Sequence, residues 1–239
     1  MYYFILPTLF SYNMILVAAA VIPAVFLMVK VYRSDRMEAE STSLLWSLMK
    51  AGILSSLLAL VEERILGGLL NLLVPEQTVL HEVILYFGIV AFAEESSKYL
   101  LLKRTSWRSA EFDCQYDGVV YAVFVSLGFA LWENISYVMA YGFGTALVRA
   151  LTAIPGHACF GVFMGIFYGL AKKYERRGQQ DTAKLARVLC VVVPALLHGA
   201  YDFIATAESG TWYFVVFILL LFAVSYYLVG KAARNDQYI

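Results

Sequence analysis

The chain has 239 residues, 61% of them hydrophobic and 15% charged, and its 18 basic and 18 acidic residues balance to zero. A soluble globular domain is about 45–50% apolar and about 25% charged, so this composition, with a mean hydropathy of +0.70, excludes a water-soluble enzyme and points to a polytopic membrane protein. The zero balance leaves no basic footprint for nucleic acid, and the longest polar stretch, Ala171 to Arg187, is too short for a soluble catalytic, nucleotide-binding or DNA-binding domain.

Residues 1–31 form one apolar run containing Pro7 and Pro23. Its basic residues, Lys30, Arg33 and Arg36, follow the run instead of preceding it, the reverse of a signal peptide, so it reads as a retained helix over about 9–31. Apolar segments then cover 44–61, 80–102, 118–140, 146–170, 185–206 and 211–230, each near the roughly 20 residues a helical span needs. The fifth carries Arg149 and is expected to kink at Pro155-Gly156. Leu66–Val74 is apolar but short and reads as an interfacial or overhanging segment. The expectation is an all-α bundle of about seven transmembrane spans, one integral-membrane domain over 1–239 in contact with the lipid bilayer, with its polar helices at about 80–206. Cys114, Cys159 and Cys190 are scattered, form no CxxC, and read as packing thiols.

Basic residues sit on alternate connections. Residues 30–36, 103–108, 172–187 and the tail after 230 hold 14 of the 18 lysines and arginines. Cytoplasmic loops carry that excess, so the N-terminus is expected outside and the C-terminus inside.

Within the spans stand Glu94, Glu95 and Lys98 on the third, Glu133 on the fourth, His157 on the fifth, and His198 and Asp202 on the sixth. A charge near a helix centre costs about 2.5–3.5 kcal/mol on insertion scales, so these residues must face the bundle interior or a wet cavity. Glu94 and Lys98, at i and i+4, share a face and can pair, with Glu95 about 100° away and free to point elsewhere. His198 and Asp202 share a face in the same way. Four carboxylates against one lysine leave either protons on some of them or a divalent cation among them. Two histidines plus carboxylates suit a first-row metal, zinc above all, with Glu133, His157, His198 and Asp202 as candidate ligands. No organic cofactor is indicated. Glu62-Glu63-Arg64, His81 and Glu82 read as interfacial.

Those helices carry a motif series: Glu94-Glu95-Ser96-Ser97-Lys98 (EExxK), Phe129-Ala130-Leu131-Trp132-Glu133-Asn134 (FxxxEN) and His198-Gly199-Ala200-Tyr201-Asp202 (HxxxD). Asp117-Gly118-Val119-Val120-Tyr121 and Pro155-Gly156-His157 lie between them, and Asp35-Arg36-Met37-Glu38 resembles a DR-x-E element. In order, spacing and helix placement the sequence resembles the PrsW family of intramembrane proteases, and more distantly the type II CAAX prenyl endopeptidases and bacteriocin-processing membrane proteases. Ala39 departs from the proline many members of that family have there.

The resemblance implies a multi-pass protease of the bacterial cytoplasmic membrane that makes the first cut in a membrane-anchored, single-pass anti-sigma factor, as part of a stress response. It implies that Glu94, Glu95 and His198 are needed for activity, with Glu133, His157 and Asp202 as partners. The expected chemistry is water-mediated peptide hydrolysis. Glu94 or Glu95 is the general base, Lys98 neutralises the other glutamate, and His198, oriented by Asp202, stabilises the oxyanion or binds metal. The rival class is a proton- or cation-coupled transporter relaying ions along the same residues. Such folds show internal repeats, and only Val61-Glu62-Glu63 against Ala93-Glu94-Glu95 hints at one here. A non-catalytic membrane scaffold would not need these inward ionisable groups.

Overall fold

A computed structural model describes residues 2–35, 37, 40–207 and 210–239, with side chains from Met14 onward. Arg36, Glu38 and Ala39 lie outside the described residues. The described chain is helical: α1 (Tyr2–Tyr32), α2 (Thr42–Leu73), α3 (Val79–Val83), a π-helical segment (Ile84–Val90), α4 (Ala91–Ser106), α5 (Asp117–Tyr141), α6 (Phe143–Leu151), α7 (Ala153–Arg176), α8 (Gln180–Thr206) and α9 (Thr211–Arg234).

Among the described residues, six stretches are long and apolar enough to cross a membrane: Met14–Tyr32, Thr42–Leu73, Asp117–Tyr141, Phe143–Arg176, Gln180–Thr206 and Thr211–Arg234. The seventh expected span, about 80–102, is the run α3–π–α4. Its charged residues lower its hydropathy, and it keeps them inside by packing on α2, α5 and α8. The short apolar segment Leu66–Val74 is the overhanging end of α2, which continues to Leu73.

Local chemistry sets the helix ends. Ser41 caps α2 by accepting from the Leu44 amide, and Thr78 caps α3 through the His81 amide, satisfying donors a helix start leaves open. Gly142, at φ 85°, separates α5 from α6 in a conformation that side-chain-bearing residues avoid. The expected kink at Pro155-Gly156 lies elsewhere. The helix breaks at Thr152 (φ −123°, ψ −70°), and Pro155 sits in the first turn of α7, where its missing N–H costs nothing. Arg149 and His157 are therefore on different helices.

α5 is the central helix, 83% buried over its most apolar window, and it packs on α7, α2 and α1. Close approach requires glycine. A Cβ on Gly52 would lie 2.1 Å from the Val125 carbonyl oxygen of α5, and one on Gly165 would lie 2.4 Å from Val119 Cα. Small residues let helices associate where lipid is as apolar as leucine, and here they lock α2 and α7 against α5. Gly199 does the same for α8, since a Cβ there would meet Phe87 of the π segment at 2.5 Å. That contact brings His198 beside α4.

One buried carboxyl outside the spans has a consequence for stability. Glu40, 7% exposed, lies before α2, with the Tyr121 hydroxyl 2.7 Å from its Oε2. Burial pushes its pKa from an ordinary 4.5 up to about 9, helped by Asp117 and Glu111 and opposed by the Tyr121 hydrogen bond. A raised carboxyl contributes stability that is complete below the unfolded value and lost as pH climbs through the folded one. The melting temperature of purified protein is therefore expected to fall by several degrees between about pH 5 and about pH 9. Glu40→Gln should flatten that slope, and an unchanged slope in the variant would contradict this account.

Candidate active site

Glu94 closes the first turn of α4, which follows directly on the π segment, and Glu95 comes next. π turns are frequent at functional sites because the extra residue re-phases the helix that follows. Lys98 stands one turn on. Its Nζ lies 3.1 Å from Glu94 Oε2 and 2.7 Å from Glu95 Oε1. Both glutamates therefore pair with the lysine, one at i+4 and one at i+3, and Glu95 does not point elsewhere as its angular offset suggested. The Phe129 ring centroid is 3.9 Å from the same Nζ, which adds a cation–π contact in a desolvated place.

Both histidines close on this trio. His157 Nδ1 lies 3.2 Å from Lys98 Nζ, and His198 Nδ1 lies 3.0 Å from Glu95 Oε1 and 3.7 Å from Glu94 Oε2. A lysine ammonium only donates, so His157 Nδ1 is an acceptor and its proton is on Nε2. That Nε2 lies 2.9 Å from Glu133 Oε2. His198 Nε2 faces Asp202 Oδ2 at 3.5 Å. Each histidine thus turns Nδ1 to the centre and Nε2 to a carboxylate. Phe160 stacks on His198 with centroids 4.7 Å apart and planes 21° apart, and Phe129 lies 5.5 Å from His157. These aromatic contacts fix the two rings.

The residue types expected at the site therefore meet, with a division of labour that the sequence does not display. Glu94, Glu95, His157 and His198 each offer a donor atom, all within 4.8 Å of one another, and all four are buried. Glu133 and Asp202, expected as candidate ligands, instead sit outside this group on the far nitrogens of the histidines. A carboxylate on the distal nitrogen is the usual support of a metal-bound histidine. The donor set fits a divalent metal in two further respects. Glu95 Oε2 is buried without a hydrogen-bond partner, and two imidazoles with carboxylates are borderline ligands suited to zinc. Lys98, bonded to three of the four donors, supplies the compensating charge in their present arrangement.

A cavity of about 690 Å³ opens onto this cluster between α2, the π segment and α5–α8. Glu94, Glu133, His157, His198 and Asp202 line it, whereas Glu95 and Lys98 lie behind its wall. Glu63 and Arg64, read from sequence as a solvated interfacial pair, also line it, and Glu62 Oε2 accepts a 3.4 Å bond from Ser97. From sequence this span ends at about residue 61, so these residues read as a helix end, whereas α2 continues to Leu73. Arg149 is a second residue that the sequence reading left without a role. It pairs with Glu133 at 2.9 Å, a cation missing from the charge count of the motifs. Glu82 is exposed on α3, and His81 bonds Asn71. The three cysteines are buried and free.

A family model described as PrsW family intramembrane metalloprotease matches residues 40–229. The chain is similar to proteins named protease PrsW. The one from Bacillus subtilis (strain 168) is 45% identical over 126 residues, 52% of this chain and 56% of that protein. The one from Oceanobacillus iheyensis is 30% identical over 221 residues, 92% and 97% of the two chains. The one from Geobacillus kaustophilus is 33% identical over 206 residues, 86% of each. No solved structure matches the chain.

Proposed function

Since the chain belongs to the PrsW family of intramembrane metalloproteases, we propose that it hydrolyses a peptide bond of a single-pass membrane protein in the cavity between α2 and α5–α8, with Glu94 as general acid–base. The observation that carries this reading is the buried group of Glu94, Glu95, His157 and His198, of which Glu95 alone has no face on the cavity.

The roles follow from position. Glu94 opens on the cavity and takes a proton from the attacking water at the oxygen that Lys98 does not engage. It returns that proton to the leaving amide nitrogen. Glu95 anchors Lys98 and His198 from behind. Glu133 and Asp202 hold the two imidazoles by their Nε2 atoms. The helices and the aromatic rings of Phe129 and Phe160 keep bulk water from the cluster. Catalytic zinc takes three protein ligands, and Glu95, His157 and His198 would hold the metal here. When bound, it supplies Lewis-acid polarisation of the scissile carbonyl and of water. An anti-sigma factor is the substrate class that the motif resemblance implies. The test is cleavage of a single-pass substrate by purified protein in liposomes, with Glu94→Gln as the blank. Cleavage that persists in the blank rejects the assignment.

The 14 basic residues on alternate connections support an N-out, C-in orientation in a bacterial cytoplasmic membrane. Reporter fusions in the loop between Lys172 and Arg187 are then expected to read cytoplasmic, and an outside signal there would reverse the assignment.

A further inference from the structure

We propose that Arg149 is a positioning residue of this active site, clamping Glu133 so that it holds His157 in one tautomer and orientation. The inference rests on the hydrolytic reading above.

The geometry around Arg149 is over-determined. Its Nη2 lies 2.9 Å from Glu133 Oε2, the same oxygen that lies 2.9 Å from His157 Nε2. Its Nε donates to Asn134 Oδ1 at 2.9 Å, and Asn134 Nδ2 in turn donates to the Ala20 carbonyl of α1 at 3.0 Å. Its guanidinium carbon lies 4.2 Å over the Tyr137 ring. One side chain is thus tied to Glu133, Asn134 and Tyr137 on α5, and through Asn134 to α1. The contact with Glu133 is an ion pair, while the hydrogen bond of the guanidinium runs to Asn134, so what Glu133 receives from Arg149 is a fixed positive charge, which a lysine can also supply.

The consequence reaches the cluster by a single path. Glu133 is needed on His157 Nε2 to leave Nδ1 as the acceptor that faces Lys98. Arg149 is the permanent cation in ion-pair contact with Glu133, with Lys98 acting on it only at longer range, so Arg149 holds the position of that carboxylate. Arg149 does not border the central donors. It stands on α6, a short helix between Gly142 and Thr152 that exposes Leu147, Val148 and Leu151 and buries Ala146. Arg149 also lines the cavity, but it makes no ion pair or hydrogen bond to the central donors. Its effect on them therefore passes through Glu133, whereas a direct contact with substrate would show in KM.

The test is steady-state cleavage of a single-pass substrate in liposomes by wild type, Arg149→Met, Arg149→Lys, Glu133→Gln and the double variant Glu133→Gln/Arg149→Met. Loss of a group that supports a ligating histidine lowers activity by about 10–100-fold. Arg149→Met is expected to lower kcat by about that factor with KM within about twofold. Arg149→Lys, which keeps the charge, should recover most of the loss. In the Glu133→Gln background, Arg149→Met should have no further effect, because residues acting through one another are not additive. Losses that multiply in the double variant, or a lower kcat in Arg149→Met that Arg149→Lys does not restore, would assign Arg149 a structural role and overturn the proposal. So would a kcat unchanged in Arg149→Met. Wild-type protein without cleavage would instead reject the protease reading on which the inference stands.

Discussion

Replacing Glu94 by glutamine is expected to abolish measurable cleavage, lowering kcat by about 10²–10⁴-fold, while the protein still accumulates in the membrane and melts near the wild-type temperature. The amide keeps the shape of the carboxylate but cannot accept and return the water proton. Glu94 borders the cavity and makes the longer of the two bonds to Lys98, so loss of its charge should lower the melting temperature less than loss of that of Glu95. Glu95→Gln should abolish cleavage too, but by another route and with a different signature. Glu95 is fully buried and makes the shorter of the two bonds to Lys98 as well as the bond to His198. Its neutral replacement therefore weakens an ion pair in low dielectric and should lower the melting temperature as well as the rate. His198→Ala removes a central donor and should be inactive. Glu82→Gln, exposed on α3, should keep its rate within about twofold. An active Glu94→Gln enzyme would move the acid–base role to another residue. Equal melting temperatures for the two glutamine variants would contradict the division between a cavity-facing carboxylate and an anchoring one.

Much of this was legible in the sequence, for physical reasons. A bilayer makes span length and polar placement stringent, so the apolar runs and the four polar helices could be read directly. The i, i+4 spacing of Glu94 and Lys98, and of His198 and Asp202, fixed which side chains share a face. What could not be read was relative depth and rotation between helices. Periodicity does not reveal the π segment that re-phases α4, nor the break at Thr152 that separates Arg149 from His157. The split of the carboxylates into two that surround Lys98 and two that hold histidines depends on which imidazole nitrogen each one meets. That is set by packing such as Phe87 against Gly199 and Phe160 against His198. Glu63 escaped notice because the apolar run before it ends at about residue 61, which makes Glu62-Glu63-Arg64 look like a solvated helix end, whereas α2 continues to Leu73.

Stripping purified protein with a strong chelator is expected to stop cleavage, and zinc or cobalt to restore it; Lys98 makes that experiment more informative than activity alone. Its ammonium lies within 3.2 Å of three of the four candidate donors, so lysine and a divalent ion compensate the same carboxylates. In wild-type protein Lys98 remains after stripping, and the fall in melting temperature should be only what linkage supplies, about 2.7 kcal/mol for a metal present at 100 times its Kd. Lys98→Met removes that second compensation. Breaking a buried pair by deleting one partner costs about 3–5 kcal/mol, because Glu94 and Glu95 then face each other in low dielectric with no lysine between them. The stripped Lys98→Met protein should therefore be the least stable of the four states, and zinc should raise its melting temperature more than that of wild type. Elemental analysis supplies the control. Full wild-type activity with far less than one metal per chain would remove the metal from the mechanism and leave the water to Glu94 and the two histidines. Equal stabilisation of wild type and Lys98→Met by zinc would show that lysine and metal do not share these donors, and the metal would then have to bind elsewhere.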